Sequence, residues 1–270
     1  MIPLLPAIAA RFSVHGIRPT LADGLLLSET LRSAAMSRSQ RIQGNASSVL
    51  SGKAADGSRL RGQHGHAHYL FEDADEDGRV DHLCVWCPGG LDEEDRKTLA
   101  GLSRIWTRDG RQEWRLELVH LGSIEQLSTA SQRFGRGRVW ESATPYVLTR
   151  HPKRTRGGER KCRPDGTWID GPEDQLRAEL RVRGLPDVSQ IEPIGDLHAG
   201  GRRWRAGEFR RSRMHRPRAG MAAMGVFVRI HLVEPVTGPL ALGGECHFGL
   251  GAFRALPSEP VPSTSGGVGP

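Results

Sequence analysis

The first half of the chain changes between strand-like and helix-like spacing of its apolar residues. Four apolar runs predict strands, at residues 10–16, 66–71, 80–87 and 114–121. Residues 21–42 carry leucines at helical spacing, and residues 91–106 open with acidic side chains, which the helix dipole favours. The order strand, helix, strand, strand, helix, strand predicts a ferredoxin-like βαββαβ unit over residues 1–122.

The second half repeats this order less completely. Its patterns predict a strand at 138–148, a helix at 172–182, extended segments at 191–194 and 204–211, and a strand at 225–233. No second helix is evident, and a glycine-rich segment follows at 238–251. We therefore expect an α+β protein of two tandem ferredoxin-like domains, with the second domain degenerate. The predicted domains are residues 1–122 and 138–256, and the Pro/Ser/Gly-rich tail at 257–270 is predicted to be disordered.

Positive charge is concentrated in this second half. The formal net charge is +7, and residues 149–163 and 202–218 hold seven and eight lysines and arginines. Such runs are often only solvated loops, but here Trp168, Trp204 and Phe209 lie among them. Cations that follow a phosphate backbone, together with aromatic stacking surfaces, indicate RNA or DNA binding. The predicted ligands in these runs are Arg150, His151, Lys153, Arg154, Arg156, Arg202, Arg203, Arg205, Arg210, Arg211 and Arg213.

The glycine-rich segment adds a second candidate contact with phosphate. Its glycines would let backbone amides approach a phosphate closely. The segment is neither a P-loop nor a dinucleotide fingerprint, because the residues that complete those motifs are missing. We predict that its RNA-binding residues are Gly243, Gly244, His247, Gly249 and Gly251.

Histidines alternate with small residues in the stretch that contains His64, His66 and His68. In an extended strand His66 and His68 share one face, about 7 Å apart. Two imidazoles at that spacing can serve as general base and general acid for RNA cleavage. The predicted catalytic residues are His64, His66 and His68, with Lys53 or an arginine as the cation on the phosphate. Two of them could also hold zinc with a carboxylate such as Asp81, but nothing fixes a third ligand. The lesser candidates are His15, His151, His215, His231 and His247.

Two other motifs invite a metal-binding interpretation. The turn after the histidine strand, Asp73-x-Asp75-x-Asp77-Gly78, resembles a calcium loop, but Cys84 occupies the position of the closing glutamate. A tight acidic hairpin turn is the better interpretation. Cys84 and Cys87 have CxxC spacing within a strand and so face opposite sides, which predicts core cysteines in a reducing cytoplasm. No apolar stretch is long enough for a membrane span.

Several longer stretches resemble one known family. They are SGKAADG (51–57), HGHAHYLFEDADEDGRVDHLCVWCPGGLD (64–92), RVWESATPYVLTRHPKR (138–154), GPEDQLRAEL (171–180) and GPLALGGECHFGLGAF (238–253). The resemblance covers roughly residues 10–255 and is to the CRISPR-associated fusion subunit of type I-U (I-G) systems, in the RAMP superfamily. Members of that family are longer, and this chain resembles their repeat-RNA endoribonuclease half without the backbone-type half.

The resemblance implies metal-independent cleavage of precursor CRISPR RNA within its repeats, without a cofactor. A 5′-hydroxyl and a 2′,3′-cyclic phosphate are the implied ends, and the product stays bound with other subunits of a type I surveillance complex. We expect a hairpin or single-stranded repeat to lie across the basic half and to be cut at the histidine strand. The alternatives are a non-catalytic subunit that holds processed guide RNA, and a metal-dependent nuclease or calcium-stabilised protein that uses the Asp73 turn.

Overall fold

The computed structural model describes residues 8–54, 56–58, 60, 65–210 and 224–257. Its first unit has the predicted ferredoxin-like order, with an additional short helix and an additional strand. The elements are β1 (Ile8–His15), α1 (Gly24–Gln43), α2 (Ser48–Ser51), β2 (His68–Glu72), β3 (His82–Cys87), α3 (Glu93–Ala100), β4 (Arg104–Trp106) and β5 (Glu113–Ser123). The strands pair antiparallel in the order β2-β3-β1-β5-β4.

Some predicted features lie outside the described residues. They are His64, Arg211, Arg213 and His215, together with the tail from residue 258 onward.

Helix α1 covers one face of this sheet. Its buried residues Leu27, Leu31 and Ala35 recur every four positions, which places them on one side of the helix. Gly44 ends the helix in the left-handed conformation, with φ of 77°, and glycine adopts this conformation without a steric penalty. The buried side chains of α1 share a core with Phe71 of β2.

The opposite face of the sheet is buried as well. Leu70 and Cys84 pack there against Phe134 and Ala241 from later parts of the chain. Cys87 lies in the core on the helix side. The two cysteines therefore face opposite sides of the sheet and are both buried and unpaired, as predicted.

The predicted helix at 91–106 was too long. Helix α3 begins after Asp92, whose carboxylate accepts the N–H of Asp95 (2.7 Å), and it ends before Gly101. The following residues form β4 instead, with Ile105 fully buried opposite Trp114 of β5. Exposed, buried and exposed positions alternate along β4, which is the period of a strand and not of a helix.

The second unit repeats the strand arrangement of the first. Its elements are β6 (Arg136–Ser142), β7 (Tyr146–Val147), α4 (Pro172–Val182), β8 (Val188–Ile194), β9 (Leu197–Ala199), β10 (Arg202–Trp204), β11 (Gly225–Thr237) and β12 (Phe253–Ala255). Strands β8, β11, β6 and β12 lie side by side in that order, all antiparallel. The fold is thus α+β with two ferredoxin-like units. The second unit is degenerate, because only a 3-10 turn stands between β11 and β12 in this fully described stretch.

Two predicted strands of this unit are interrupted. The strand predicted at 138–148 divides into β6 and β7, because the Thr144 hydroxyl donates to the carbonyl of Gly249 (2.8 Å) and Pro145 has no N–H for a ladder. The segment predicted as extended at 204–211 turns after Trp204. There the Glu208 carboxylate accepts the N–H of Arg205 (2.7 Å) and closes a 3-10 turn.

Both units contribute to one continuous core. Val147, Phe227 and Leu250 of the second unit belong to the same buried cluster as the helix-side residues of the first. The proposed boundaries at 122 and 138 therefore stay a prediction. In the described part of the chain, no helix has the length and apolar character that a membrane span requires.

Candidate active site

Three imidazole rings stack on one another where the two units meet. The ring of His247 lies between those of His66 and His68, with centroid separations of 4.1 Å and 3.8 Å. The rings of His66 and His68 are 6.3 Å apart and inclined by only 23°. The structure therefore brings two of the predicted catalytic histidines together and adds a third from the glycine-rich segment.

The segment that carries His66 is held by backbone hydrogen bonds to neighbouring loops. Ala67 donates its N–H to the carbonyl of Val49 (3.0 Å), and the carbonyl of Gly65 accepts from the loop after β3 (3.0 Å). These bonds replace ladder bonds to β3, so strand β2 begins at His68 and not at His66 as predicted.

His247 reaches the other two rings from a tight turn. The 3-10 turn Cys246–Phe248 is flanked by Glu245 and Gly249, both in the left-handed region with φ of 59° and 87°. A Cβ atom on Gly249 would lie 2.6 Å from the ring of Phe71 in β2, so glycine permits this close approach. Sequence patterns ranked His247 as an RNA ligand and a lesser catalytic candidate, because only the tertiary fold brings it to the histidine strand.

Backbone carbonyls fix the tautomers of two rings. The Nδ1 atom of His68 lies 3.2 Å from the carbonyl of His66, and the Nδ1 atom of His247 lies 3.2 Å from the carbonyl of Ala67. A carbonyl oxygen can only accept, so Nδ1 carries the proton in each ring. In the neutral rings the Nε2 atoms are then the positions that can take up a proton.

The three histidines differ in their access to solvent. His68 is 0 % exposed and packs against Trp86, with ring centroids 4.7 Å apart. His66 and His247 are each partly exposed. A substrate can therefore reach His66 and His247, whereas His68 supports His247 from behind. This corrects the expectation that His66 and His68 together would meet the substrate.

Arg32 of α1 is a cation that sequence patterns missed. Its Nη2 atom donates to the carbonyl of Ser51 (2.6 Å), and its guanidinium lies 5.9 Å from the ring centroid of Phe248. It therefore lies beside the turn that carries His247 and next to Gly52, the residue against which His66 packs. The predicted cation, Lys53, is exposed in the loop that follows Ser51.

Gly52 forms a wall of the site. A Cβ atom at this position would lie 2.7 Å from Cδ2 and 3.1 Å from Nε2 of His66. Both distances are shorter than ordinary van der Waals contact. Glycine at position 52 thus allows the ring of His66 to lie against the loop backbone.

The glycine-rich segment does not offer free amides to a phosphate. The N–H of Gly243 donates to the carboxylate of Glu179 (2.8 Å and 3.0 Å). The amides of Gly244, Gly249 and Gly251 donate to backbone carbonyls, and all four glycines are buried. The expectation that the backbone amides of these glycines bind phosphate is therefore wrong. The small size and the conformational freedom of these glycines serve the packing between the two units instead.

Several predicted RNA-binding arginines have carboxylate partners. The ion pairs join Arg150 to Asp170, Arg202 to Glu208, Arg203 to Asp196 and Arg210 to Asp23. Exposed pairs of this kind contribute little to stability, so a phosphate can replace the carboxylate. The other described candidates are exposed, namely His151, Lys153, Arg154, Arg156 and Arg205. RNA contact by these residues stays a prediction.

The aromatic residues of the basic stretches are not open stacking surfaces. Trp204 and Phe209 are only 4 % and 2 % exposed, and Phe209 packs edge-on against Phe227. The guanidinium of Arg160 covers Trp168, 3.7 Å from its ring centroid. The expectation that these rings stack on bases is wrong for Trp204 and Phe209, because both side chains are buried in the hydrophobic core.

The histidine stack contains one set of residues with metal-ligating atoms. One ligand atom each from His68, Cys246 and His247 lie within 4.8 Å of one another. However, burial raises the pKa of the Cys246 thiol, although the Arg183 guanidinium 3.5 Å away opposes this. A protonated thiol beside a fixed positive charge is a poor metal ligand.

The acidic turn is closed by its own hydrogen bonds. The carboxylate of Asp73 accepts the N–H groups of Asp77 (3.0 Å) and Gly78 (2.9 Å), and Arg18 bridges Asp75 and Asp77. Burial, with a contribution from Asp75, raises the pKa of Asp73 to about 6. These contacts are those of the predicted hairpin turn between β2 and β3.

No family model matches the chain, and no curated protein matches it. Among solved structures, it is similar to "An RAMP protein binding different RNA substrates", at 14% identity and a TM-score of 0.41 over 93% of this chain and 100% of that one. It is also similar to a Cas6 product complex, at 11% identity and a TM-score of 0.40 over 93% and 99% of the two chains. The product of a Cas6-related gene from Pyrococcus furiosus has 10% identity and a TM-score of 0.40 over 94% and 99%. At these values the similarity assigns no role to any residue of this chain.

Proposed function

We propose that this protein is an endoribonuclease that cleaves precursor CRISPR RNA within its repeats by metal-independent acid–base chemistry. The observation that carries the cleavage proposal is the ring of His247 between those of His66 and His68, with two Nδ1 atoms held by carbonyls. The choice of repeat RNA rests on the long stretches of sequence that resemble the type I-U nuclease half.

In the proposed mechanism, His66 and His247 are the acid and base that touch the RNA. The Nε2 atom of one neutral ring accepts the proton of the 2′-hydroxyl, and the 2′-oxygen forms a new bond to phosphorus. The bond from phosphorus to the 5′-oxygen breaks, and the protonated second ring gives its proton to that oxygen. The products are a 2′,3′-cyclic phosphate and a 5′-hydroxyl.

Stacking supports this division of roles. Two imidazolium charges about 4 Å apart repel each other, so the stack disfavours protonation of both rings at once and is compatible with one protonated and one neutral ring. Such a state is the one that an acid and a base must share at the start of cleavage. The buried ring of His68 keeps His247 in its orientation, and Arg32 and Lys53 supply positive charge for the phosphorane. The cleaved product is proposed to stay bound in a type I effector complex.

The direct test uses a labelled repeat RNA in excess EDTA. Wild-type protein is expected to produce a cyclic phosphate and a 5′-hydroxyl, and a 2′-deoxy substitution at the cleaved nucleotide should abolish the reaction. Cleavage that requires added metal, or that survives the 2′-deoxy substitution, would contradict the mechanism. Binding of the repeat without any cleavage would favour a subunit that only holds guide RNA.

Gly52→Ala is expected to impair the site, with Gly57→Ala as its matched control. Both glycines lie in the same loop with positive φ, 69° and 79°, but a Cβ atom at Gly57 would meet nothing within 4 Å. Each variant loses stability by roughly 1–2 kcal/mol from the left-handed backbone alone. Only Gly52→Ala displaces the ring of His66, so only it should slow cleavage, by about 10²-fold for a shift near 1 Å.

The measurements are single-turnover cleavage rates, thermal unfolding and the NMR signals of the His66 ring. Equal cleavage rates for the two variants would show that the position of His66 does not govern the chemistry.

A further inference from the structure

A second basic surface lies on the helix side of the first unit. A groove of about 610 Å³ runs between one face of α1 and the β4 strand with its flanking turns. Its walls include Leu26, Thr30 and Ser37 of α1, and Ser103 and Thr107 around β4. Hydroxyl groups and small side chains thus form much of its walls.

The groove is strongly positive. Arg38, Arg41, Arg104 and Arg108 line it, and among the described residues of the lining Glu29 is the only one with a carboxylate. Arg104 pairs with a glutamate of β5 (3.3 Å). Within the part of the chain that the structure describes, the other three arginines have no carboxylate at ion-pair distance, unlike many arginines of the predicted basic stretches. Their positive charge is thus available to a ligand.

Packing, and not an acidic partner, positions Arg38. Its Nη2 atom lies so close to Gly101 that a Cβ atom there would be 1.8 Å away. The Nε atom of Arg38 is buried and makes no hydrogen bond to any described residue. An unpaired guanidinium nitrogen at the base of a positive groove lacks the acceptor that a buried donor needs.

Trp106 lies at the rim of this groove, and its side chain projects from the face of β4 opposite to the buried Ile105. It ends β4, and 58 % of its surface is exposed. A single exposed aromatic residue needs no explanation. An exposed indole between Arg104 and Arg108, however, combines a face for a base with cations for the adjoining phosphates. None of the aromatic residues predicted to bind RNA has this combination.

We propose that this groove binds a single-stranded segment of RNA, with a base stacked on Trp106 and phosphates at Arg38, Arg41 and Arg108. The choice of RNA over another single-stranded polyanion rests on the proposed function. The segment would be an unpaired flank of the substrate, bound apart from the nucleotides at the histidine stack. Charge complementarity and the free indole face favour this ligand over an acidic protein surface.

The test measures binding of a fluorescently labelled, single-stranded RNA that carries 2′-deoxy nucleotides to prevent cleavage. Trp106→Ala is expected to weaken binding by about 5- to 150-fold, the range for loss of one stacked base, and Trp106→Phe should recover most of it. Arg108→Ala should also weaken binding. In a plot of the logarithm of the binding constant against the logarithm of the salt concentration, its slope should be shallower than that of the wild type by about 0.7. The matched control is Arg111→Ala, because this exposed arginine lies outside the groove and pairs with Asp109 (3.6 Å).

Each outcome decides between the two proposals. Loss of binding in the Trp106 and Arg108 variants, with Arg111→Ala unchanged, supports the groove even if the wild type cleaves no repeat. Unchanged RNA binding in both groove variants overturns the groove proposal, and wild-type cleavage would then leave the nuclease proposal intact. Equal weakening in Arg111→Ala also overturns it, because the effect would then reflect overall charge alone.

Discussion

His247→Ala is expected to lower the rate of repeat cleavage by about 10²–10⁴-fold, the usual contribution of a general acid or base. The reason is that His247 is partly exposed and lies within 4.1 Å of both neighbouring ring centroids. Affinity for the RNA should change little, because the exposed arginines and lysines that we propose as phosphate ligands are untouched. His66→Ala should have an effect of similar size, and both should be measured in single-turnover experiments.

His68 provides the internal comparison. Because it is buried, His68→Ala removes support for His247 and also lowers stability. His68→Asn keeps a donor near the carbonyl of His66, so it should recover part of the rate if His68 only positions its neighbour. A bell-shaped dependence of the rate on pH that persists in His68→Asn would agree with His66 and His247 as the acid and base.

The control for surface histidines is His198→Ala, on the exposed side of β9. It should leave the cleavage rate unchanged. If His247→Ala cleaves as fast as the wild type, the acid–base pair is not at this stack, and Lys53 becomes the next residue to test. If His247→Ala loses RNA binding together with cleavage, the residue is an RNA ligand, as its sequence context first indicated.

Local sequence patterns predicted most of the fold because local spacing determines it. Helix α4 has the predicted ends, since Pro172 at the first helical position and acidic residues beside it favour a helix start. The pattern failed at β4, where Arg104–Trp106 is too short for a period to be recognised and its pairing with β5 decides the conformation. Tertiary pairing therefore overrides the local signal in short segments.

The candidate site was only half predictable for the same reason. The alternation of His66 and His68 is a local signal, and it pointed to a segment whose rings lie together in the folded chain. His247 comes from the other unit, and no sequence period links it to β2. The glycines around it were misread because a close backbone approach serves protein packing as well as it serves a phosphate. Groove residues such as Arg38 and Trp106 were missed because α1 and β4 meet only in the folded chain.

Glu72→Gln is expected to cause the largest loss of stability, about 3–5 kcal/mol, because it leaves buried positive charge without a counter-ion. The Glu72 carboxylate is 6 % exposed and accepts from both Nε and Nη2 of Arg11 (3.0 Å each). It also accepts from the hydroxyl of Ser131. Burial lowers the pKa of the nearby Arg133, and the charge of Glu72 opposes this effect. The substitution thus affects two arginines at once.

For a chain of this size the expected decrease in Tm is about 6–20 °C. Thermal and urea unfolding should show it, whereas Glu93→Gln, which removes an exposed partner of Lys97, should leave Tm nearly unchanged. Adding Arg11→Met to Glu72→Gln should recover part of the loss, because one of the unpaired charges is then removed. Equal Tm values for Glu72→Gln and Glu93→Gln would mean that the buried pair does not stabilise the fold.

This variant also separates stability from chemistry at the histidine stack. Glu72 ends the same strand that His68 begins, so unfolding of β2 removes the support of His247. Cleavage by Glu72→Gln should therefore be close to wild type well below its Tm and fall steeply as that temperature is approached. Cleavage by His247→Ala should instead be slow at every temperature, because the group that moves the proton is missing while the strand remains folded. A rate loss in Glu72→Gln that is independent of temperature would mean that Glu72 acts on the stack directly and not through the stability of β2.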